Sequence, residues 1–346
     1  MTLDDGGQRV FTIALAGDVM LGRGVNEAMA RRGAEGPSQV WDESLLAVMA
    51  EADLRLVNLE CALTSHTERW HDGEAKAFYF RAEPALGVAA LRAGGVDFVS
   101  NANNHARDFG TAGLLETIAQ LERAGIAHAG AGADLAEARR PAVLEARGLR
   151  VAVTAWADYP LAWAAEPGRP GINYTDVSVA TDDFAPIAAA LQEARTLSDL
   201  VVFSIHWGPN MRERPSAAFR EFAHAVIDAG ADVFWGHSAH VVQAIGVCGG
   251  RPSLFDTGDF LDDYVVDGAL RNDLGALFLL RVVDDAVAHV EVVPTVIDGA
   301  RVGLATGPDF EWFTQRLTAL SNEVGTQVRR HDDRLVVELS GTGSAS

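Results

Sequence analysis

The stretch ADVFWGHSAH, residues 231–240, decides how the rest of the chain is read. Its apolar run Val233-Phe234-Trp235 has the length and composition of a buried strand, and it breaks at Gly236 into two histidines three residues apart. Imidazoles are thereby delivered where a strand leaves its sheet. Open α/β sheets carry their chemistry at such places, because strand ends are rigid and the loops beyond them are free to vary. Two histidines alone do not make a metal site. The same event, an apolar strand followed by a polar cluster, recurs four more times.

Working outward, residues 10–16 form an apolar strand that runs into Gly17-Asp18-Val19-Met20. Residues 54–59, LRLVNL, carry Asn58 near their end and Glu60 just beyond. Residues 96–99 lead into Ser100-Asn101-Ala102-Asn103-Asn104-His105, with Asp108 close behind. Residues 198–205 deliver His206-Trp207-Gly208. Asn can ligate a metal through its carbonyl, and His105 beside it can donate or accept a proton; the alternative is a turn in which Asp108 or Thr111 caps the next helix. Gathered up, the strand-end residues are Asp18, Glu60, Asn104, His105, His206, His237 and His240. This mixed nitrogen and oxygen set suits one or two divalent ions such as Zn, Mn or Fe, with no thiolate required. The other histidines, His66, His71, His128, His224, His289 and His331, read as structural.

Helical spacing predicts helices after Gly22–Gly24, over 42–52, from Glu83-Pro84 to Gly94-Gly95, through Leu114, Leu115, Ile118 and Leu121, and over 182–196, 216–229 and 309–324. A strand near Ile126 and an edge-like pair at 142–145 and 150–155 follow the Asn-rich turn. The stretch through His66, Trp70 and His71 reads as a mobile or substrate-facing loop. An irregular region at 158–176 follows Trp156 and contains Tyr159, Trp163 and Tyr174, which read either as core filler or as substrate contacts. Segments 241–247, 252–255, 276–283 and 288–293 read as antiparallel, the last two joined by an Asp284-Asp285 turn. Residues 334–339 read as an edge strand. We expect one domain over 8–340, two sheets packed face to face with helices outside, and a disordered tail at 341–346.

Composition narrows the function. The chain has 346 residues, 48% of them hydrophobic, and a formal net charge of -20 from 48 acidic and 28 basic residues. Such a surface repels polyanions, which argues against nucleic acid and anionic membrane as partners. Lysine occurs once, at Lys76, and the arginines are scattered. Two cysteines do not make a disulfide framework and read as free thiols. With no basic segment before an apolar run at the N-terminus and no long apolar stretch, the expectation is a soluble cytoplasmic protein.

The ordered set GDVM (17–20), NLE (58–60), NNH (103–105), HWG (206–208) and GHSAH (236–240) resembles the CapA-like family, named for poly-γ-glutamate capsule proteins, within the calcineurin-like metallophosphoesterase superfamily. The match runs from about 11 to 264. The resemblance implies a four-layer αββα sandwich of metallophosphoesterase type. It places Asp18 and His240 on one ion and Asn104, His206 and His237 on the other, with Glu60 bridging. His105 matches the histidine that protonates the leaving group in phosphoesterases.

Two departures bear on function. The superfamily's Asp-x-His has Met20 at its third position, so one ion is expected to be held weakly. Where the family commonly has Gly-Asn-Phe, this chain has Gly258-Asp259-Phe260, an added carboxylate near the site. Three activities follow from the resemblance: a phosphoesterase, a γ-glutamyl or peptide hydrolase linked to poly-γ-glutamate, and Cα epimerisation of a C-terminal residue in a lasso-type precursor peptide. Epimerisation is the leading expectation, since no arginine cluster for phosphate stands out and the net charge disfavours a polyglutamate polyanion. His105 and Asp259 would be its acid/base residues, its partner the peptide with a precursor-recognition protein. A non-catalytic binding protein is the fourth reading.

Overall fold

The structure, a computed structural model, describes residues 10–71 and 76–339. The expected tail at 341–346 and the start of the domain at residue 8 lie outside the described residues.

The strand Val10–Val19 lies inside a ten-stranded sheet. On one side it pairs in parallel with Leu54–Leu59, followed by Phe98–Ser100 and Ala127–Ala129. On the other it pairs antiparallel with Leu274–Val283, followed by Ala286–Ile297, Arg334–Glu338 and Arg329–His331. The short strand Asp259–Leu261 also adds in parallel to the end of Val10–Val19. A second sheet runs in the order Ile245–Cys248, Arg251–Leu254, Val233–His237, Leu200–His206, Leu149–Ala157, Ala142–Ala146. Its four middle strands are parallel.

Side-chain alternation along the strands builds the layers. Ile13, Leu15, Leu56 and Phe98 of the first sheet meet Val151, Val153, Val202, Val233 and Trp235 of the second in one core. Their neighbours Ala14, Val57 and Val99 turn the other way, against Leu45, Met49 and Leu91 from helices Glu43–Met49 and Pro84–Ala93. On the far face, Val201, Phe203 and Phe234 pack on Ile187, Leu191, Phe222 and Val226 from helices Thr181–Leu197 and Ala217–Asp228. The result is the expected four-layer αββα sandwich. Strands buried on both faces need near-continuous apolar sequence, which is what LVVFSI and VFW provide. Burying each large apolar side chain contributes about 1.5–3 kcal/mol, so these runs fix the strand ends in place.

Several expectations need correction. Leu149–Ala157 is an interior strand, paired on both sides, and only Ala142–Ala146 is at the edge. Arg334–Glu338 is covered by Arg329–His331, so it is second from its edge. Arg251–Leu254 pairs antiparallel with Ile245–Cys248, as expected, but joins Val233–His237 in parallel, and residues 241–244 precede the strand that begins at Ile245. Helix Gly110–Ala124 starts after Phe109 with no side-chain cap, because Asp108 is used elsewhere. Trp156 and Trp163 are fully buried core residues, leaving Tyr159 as the exposed aromatic of that region. Within the stretch read as a loop, the Trp70 amide donates to the Asp108 carbonyl at 2.8 Å and its ring lies edge-on to Trp163. Cys61 and Cys248 are free thiols, as expected.

Candidate metal centre

The carboxyl ends of the parallel strands of both sheets converge on one buried polar cluster. Asp18 stands in register with Asn58 on one neighbouring strand and with Asp259 on the other. In the second sheet His206 stands in register with His237. Parallel strands carry paired residues on the same face, so each pairing sets two polar side chains side by side at a sheet end. Loop closure does the rest. Ser238 and His240 adopt positive φ, and the Ala239 amide between them donates to Asp256 Oδ2 at 2.8 Å, turning His240 back toward Asp18.

Two donor groups result, each with its ligand atoms within 4.8 Å of one another: Asp18, His206 and His237; and Asp18, Glu60, His240 and Asp259. Asp18 belongs to both. Glu60 also lies between the groups, its Oε1 3.9 Å from both His206 Nε2 and His105 Nε2. The structure thus brings together Asp18, Glu60, His105, His206, His237, His240 and Asp259. Asn104 sits on the same turn as His105, with a buried Oδ1 that lacks a hydrogen-bond partner. Of the six histidines expected to be structural, none belongs to either group.

Whether these residues suit a divalent ion is decided by their open atoms. Asp18 accepts from Asn58 Nδ2 at 2.7 Å through Oδ1, and Glu60 accepts from the Tyr264 hydroxyl at 2.8 Å through Oε2. Asp259 Oδ1 lies 2.8 Å from His240 Nδ1. The opposite oxygens, Asp18 Oδ2, Glu60 Oε1 and Asp259 Oδ2, are buried without a partner. Unpaired buried carboxylate oxygens are costly, and a shared cation removes that cost.

The electrostatics agree. Burial pushes Asp18 well above the usual carboxylate range, with Glu60 adding repulsion, and burial likewise raises Asp259. Burial lowers His237 to about 3 and, helped by His237 itself, holds His206 well below its ordinary value. Both imidazoles are therefore neutral, the form that ligates metal. His237 Nε2 meets Ser204 Oγ at 2.9 Å, and its Nδ1 lies 3.1 Å from His206 Nδ1 and 3.8 Å from Asp18 Oδ1. His240 behaves oppositely: burial disfavours its charge, but Asp259, Glu60 and Asp18 outweigh that and raise it. A cation among those carboxylates would reverse this balance.

His105 is built differently. Its Nδ1 lies 2.6 Å from Asp108 Oδ2, and Phe80 stacks on its ring at 3.8 Å. Asp108 also accepts from the Phe80 amide at 2.6 Å and from Lys76, which in turn reaches the Asn104 carbonyl and lies over the Trp163 ring. A proton held on Nδ1 leaves Nε2 as the working nitrogen, facing Glu60. Asn58, Lys76, Asp108, Ser204 and Tyr264 were not assigned to the site from sequence. Lys76 carried a signal, being the single lysine of the chain, and Tyr264 closes the Asp262-Asp263-Tyr264 run that follows Asp259.

Comparison with known proteins places these residues in a family context. The family described as "Bacterial capsule synthesis protein PGA_cap" matches residues 12–264. A "Probable polyglutamine synthesis accessory protein" of Mycobacterium tuberculosis is 33% identical, covering 96% of each chain. "Capsule biosynthesis protein CapA" of Bacillus anthracis is 27% identical, covering 95% of this chain and 78% of that one. Among solved structures, a purple acid phosphatase from yellow lupin aligns over 88% of this chain and 55% of that one, at 8% identity and a TM-score of 0.35.

Proposed function

The chain belongs to the bacterial capsule synthesis protein PGA_cap family, and from that premise we propose that it is a metal-dependent enzyme that acts on a peptide backbone and moves a proton at His105. Within that class the reading adopted is inversion, L to D, at the Cα of a C-terminal residue in a lasso-type precursor peptide. The observation that carries the proposal is His105. Its Nδ1 is held by Asp108 and its Nε2 lies 3.9 Å from Glu60 Oε1, beside two groups of open donor atoms.

In this reading Asp18, His206, His237 and Asn104 would hold one divalent ion, and Asp18, Glu60 and His240 the other. Bound there, an ion supplies Lewis acidity that polarises a substrate carbonyl. Asp108 keeps the Nδ1 proton in place, so Nε2 is free to take the Cα proton, the C–H electron pair staying on the substrate as its enolate. Phe80 stacked on the imidazole fixes its plane and excludes water from one face. Inversion needs a second proton carrier on the opposite side. Asp259 is the carrier expected from sequence, but its Oδ1 is occupied by His240. Tyr264, which donates to Glu60 Oε2 and is held well above its usual value by burial and by Glu60, is a neutral proton donor at the same carboxylate.

A second reading, hydrolysis of an amide or phosphoester, is favoured by the same histidine, since protonating a leaving group needs the same nitrogen in the same place. The relative named for polyglutamine synthesis supports an amide polymer as its substrate class. Incubation in heavy water separates the two, with a lasso-type precursor peptide, oligoglutamate and an aryl phosphate as probes. Inversion incorporates one deuterium at a single Cα without cleavage, and His105→Ala loses it while keeping metal. Release of phosphate or of a shorter chain, with no deuterium at Cα, selects the hydrolase.

A further inference from the structure

Met20 leaves the centre one donor short, and the structure shows what stands nearby in its place. The Met20 side chain is fully buried in the outer core, with its Sδ accepting from the Gly22 amide at 3.0 Å. It faces packing rather than ligands. Across the same strand end, Asp259 lies in parallel register with Asp18 and is itself fully buried. Asp18, Glu60 and Asp259 each spend one oxygen on a hydrogen bond, to Asn58, Tyr264 and His240, and each keeps the other buried and unpartnered. A ligand atom from each of these three carboxylates and from His240 lies within 4.8 Å of the others.

We propose that Asp259 is a metal ligand that replaces the imidazole missing at Met20, and that it makes the two halves of the centre chemically unequal. The half formed by Asp18, Glu60, His240 and Asp259 is rich in hard oxygen donors and takes a manganese- or magnesium-class ion. The half formed by His206 and His237 with Asp18 is rich in neutral imidazole and takes a zinc-class ion. This inference rests on the reading of the cluster as a metal centre. It assigns Asp259 to binding rather than to proton transfer.

The alternative on the same geometry is that Asp259 shares a proton with Asp262, whose Oδ2 is also buried without a partner. Asparagine at 259 imitates that protonated state. The experiment therefore uses Asp259→Asn, together with Asp259→Glu as the conservative variant. Metal-free protein is given one equivalent of Zn2+ and then titrated with Mn2+, bound manganese being followed by electron paramagnetic resonance and total metal by elemental analysis. The unaltered protein should retain one Zn2+ and take up one Mn2+ per chain. Asp259→Asn should weaken Mn2+ binding at least tenfold with Zn2+ uptake unchanged, and Asp259→Glu should restore much of it. Unchanged Mn2+ affinity in Asp259→Asn overturns the proposal. Should that variant fail to fold, the unaltered protein still decides: failure to add Mn2+ beside bound Zn2+ also overturns it. Uptake of neither ion by the unaltered protein defeats the metal-centre reading itself.

Discussion

Asp18 and Asp259 are register partners across two parallel strands, both fully buried, each with one oxygen open. Two such carboxylates repel unless a proton or a cation stands between them. Burial raises both carboxyls, and Glu60 adds repulsion to each, so the fold resists their charge.

Metal removal should therefore destabilise the protein. An ion that binds only the folded state at a hundred times its dissociation constant adds about 2.7 kcal/mol, so dialysis against a chelator should lower Tm by several degrees and Zn2+ with Mn2+ should restore it. Calorimetry checks this, and an unchanged Tm would count against a buried centre.

His105 and Asp108 should separate binding from chemistry. His105→Ala is expected to keep its metal and lose activity by about 100-fold or more, the range of a general acid or base. Asp108→Asn should keep metal as well and show a smaller loss, because it orients His105 and touches no donor group. Loss of metal in either variant would place them among the ligands instead.

Asp158, whose amide donates to the His206 carbonyl at 3.1 Å, offers a pH test. Burial raises its carboxyl to about 6, partly opposed by the Gly208 amide that donates to it at 2.8 Å. The folded form thus resists its ionisation, and stability should fall as pH rises from about 4 through 6. Asp158→Asn keeps an acceptor for Gly208 and removes the charge. It should raise stability at pH 8 by about 2 kcal/mol and abolish that decline in denaturant titrations.

An ion-pair network behaves with the opposite sign. Glu291 meets Arg281 at 2.8 Å and Arg334 at 2.6 Å, and Glu51 joins both arginines. Burial works against the Glu291 charge, but His289 and the two arginines outweigh it and lower its carboxyl; Arg334 lowers Glu51. Their contribution is complete above the ordinary carboxylate range and is lost as pH falls through the lowered values. Arg334→Gln should cost about 1 kcal/mol at pH 7 after solvent screening and less at pH 2. Equal cost at both values would show that packing, not charge, is what Arg334 supplies.

Much of this was legible in the sequence because strands buried on both faces write themselves as continuous apolar runs. LRLVNL ends where the structure ends Leu54–Leu59, and the run Val233-Phe234-Trp235, read as breaking at Gly236, continues in the structure to His237. The polar residues just past those runs reach the centre for the same reason. What stayed hidden depends on contacts between segments distant in sequence. Tyr264 reaches Glu60 across 204 residues, and Lys76 reaches Asp108 across 32. Asp108 resembled a helix cap because a capping carboxylate and a histidine-orienting one look alike until the chain folds. Edge and interior strands were confused at Leu149–Ala157 because pairing order is not written in local periodicity.

The central claim, that a buried two-part metal centre sits where the strand ends converge, is tested most directly by counting metal. Unaltered protein, dialysed against dilute Zn2+ and Mn2+ and then against metal-free buffer, should carry divalent ion by elemental analysis. Glu60→Ala and His237→Ala, each shown by circular dichroism to be folded, should each lose the ion of its own half, manganese in the first and zinc in the second. Equal metal in those variants, or none in the unaltered protein, would contradict the account.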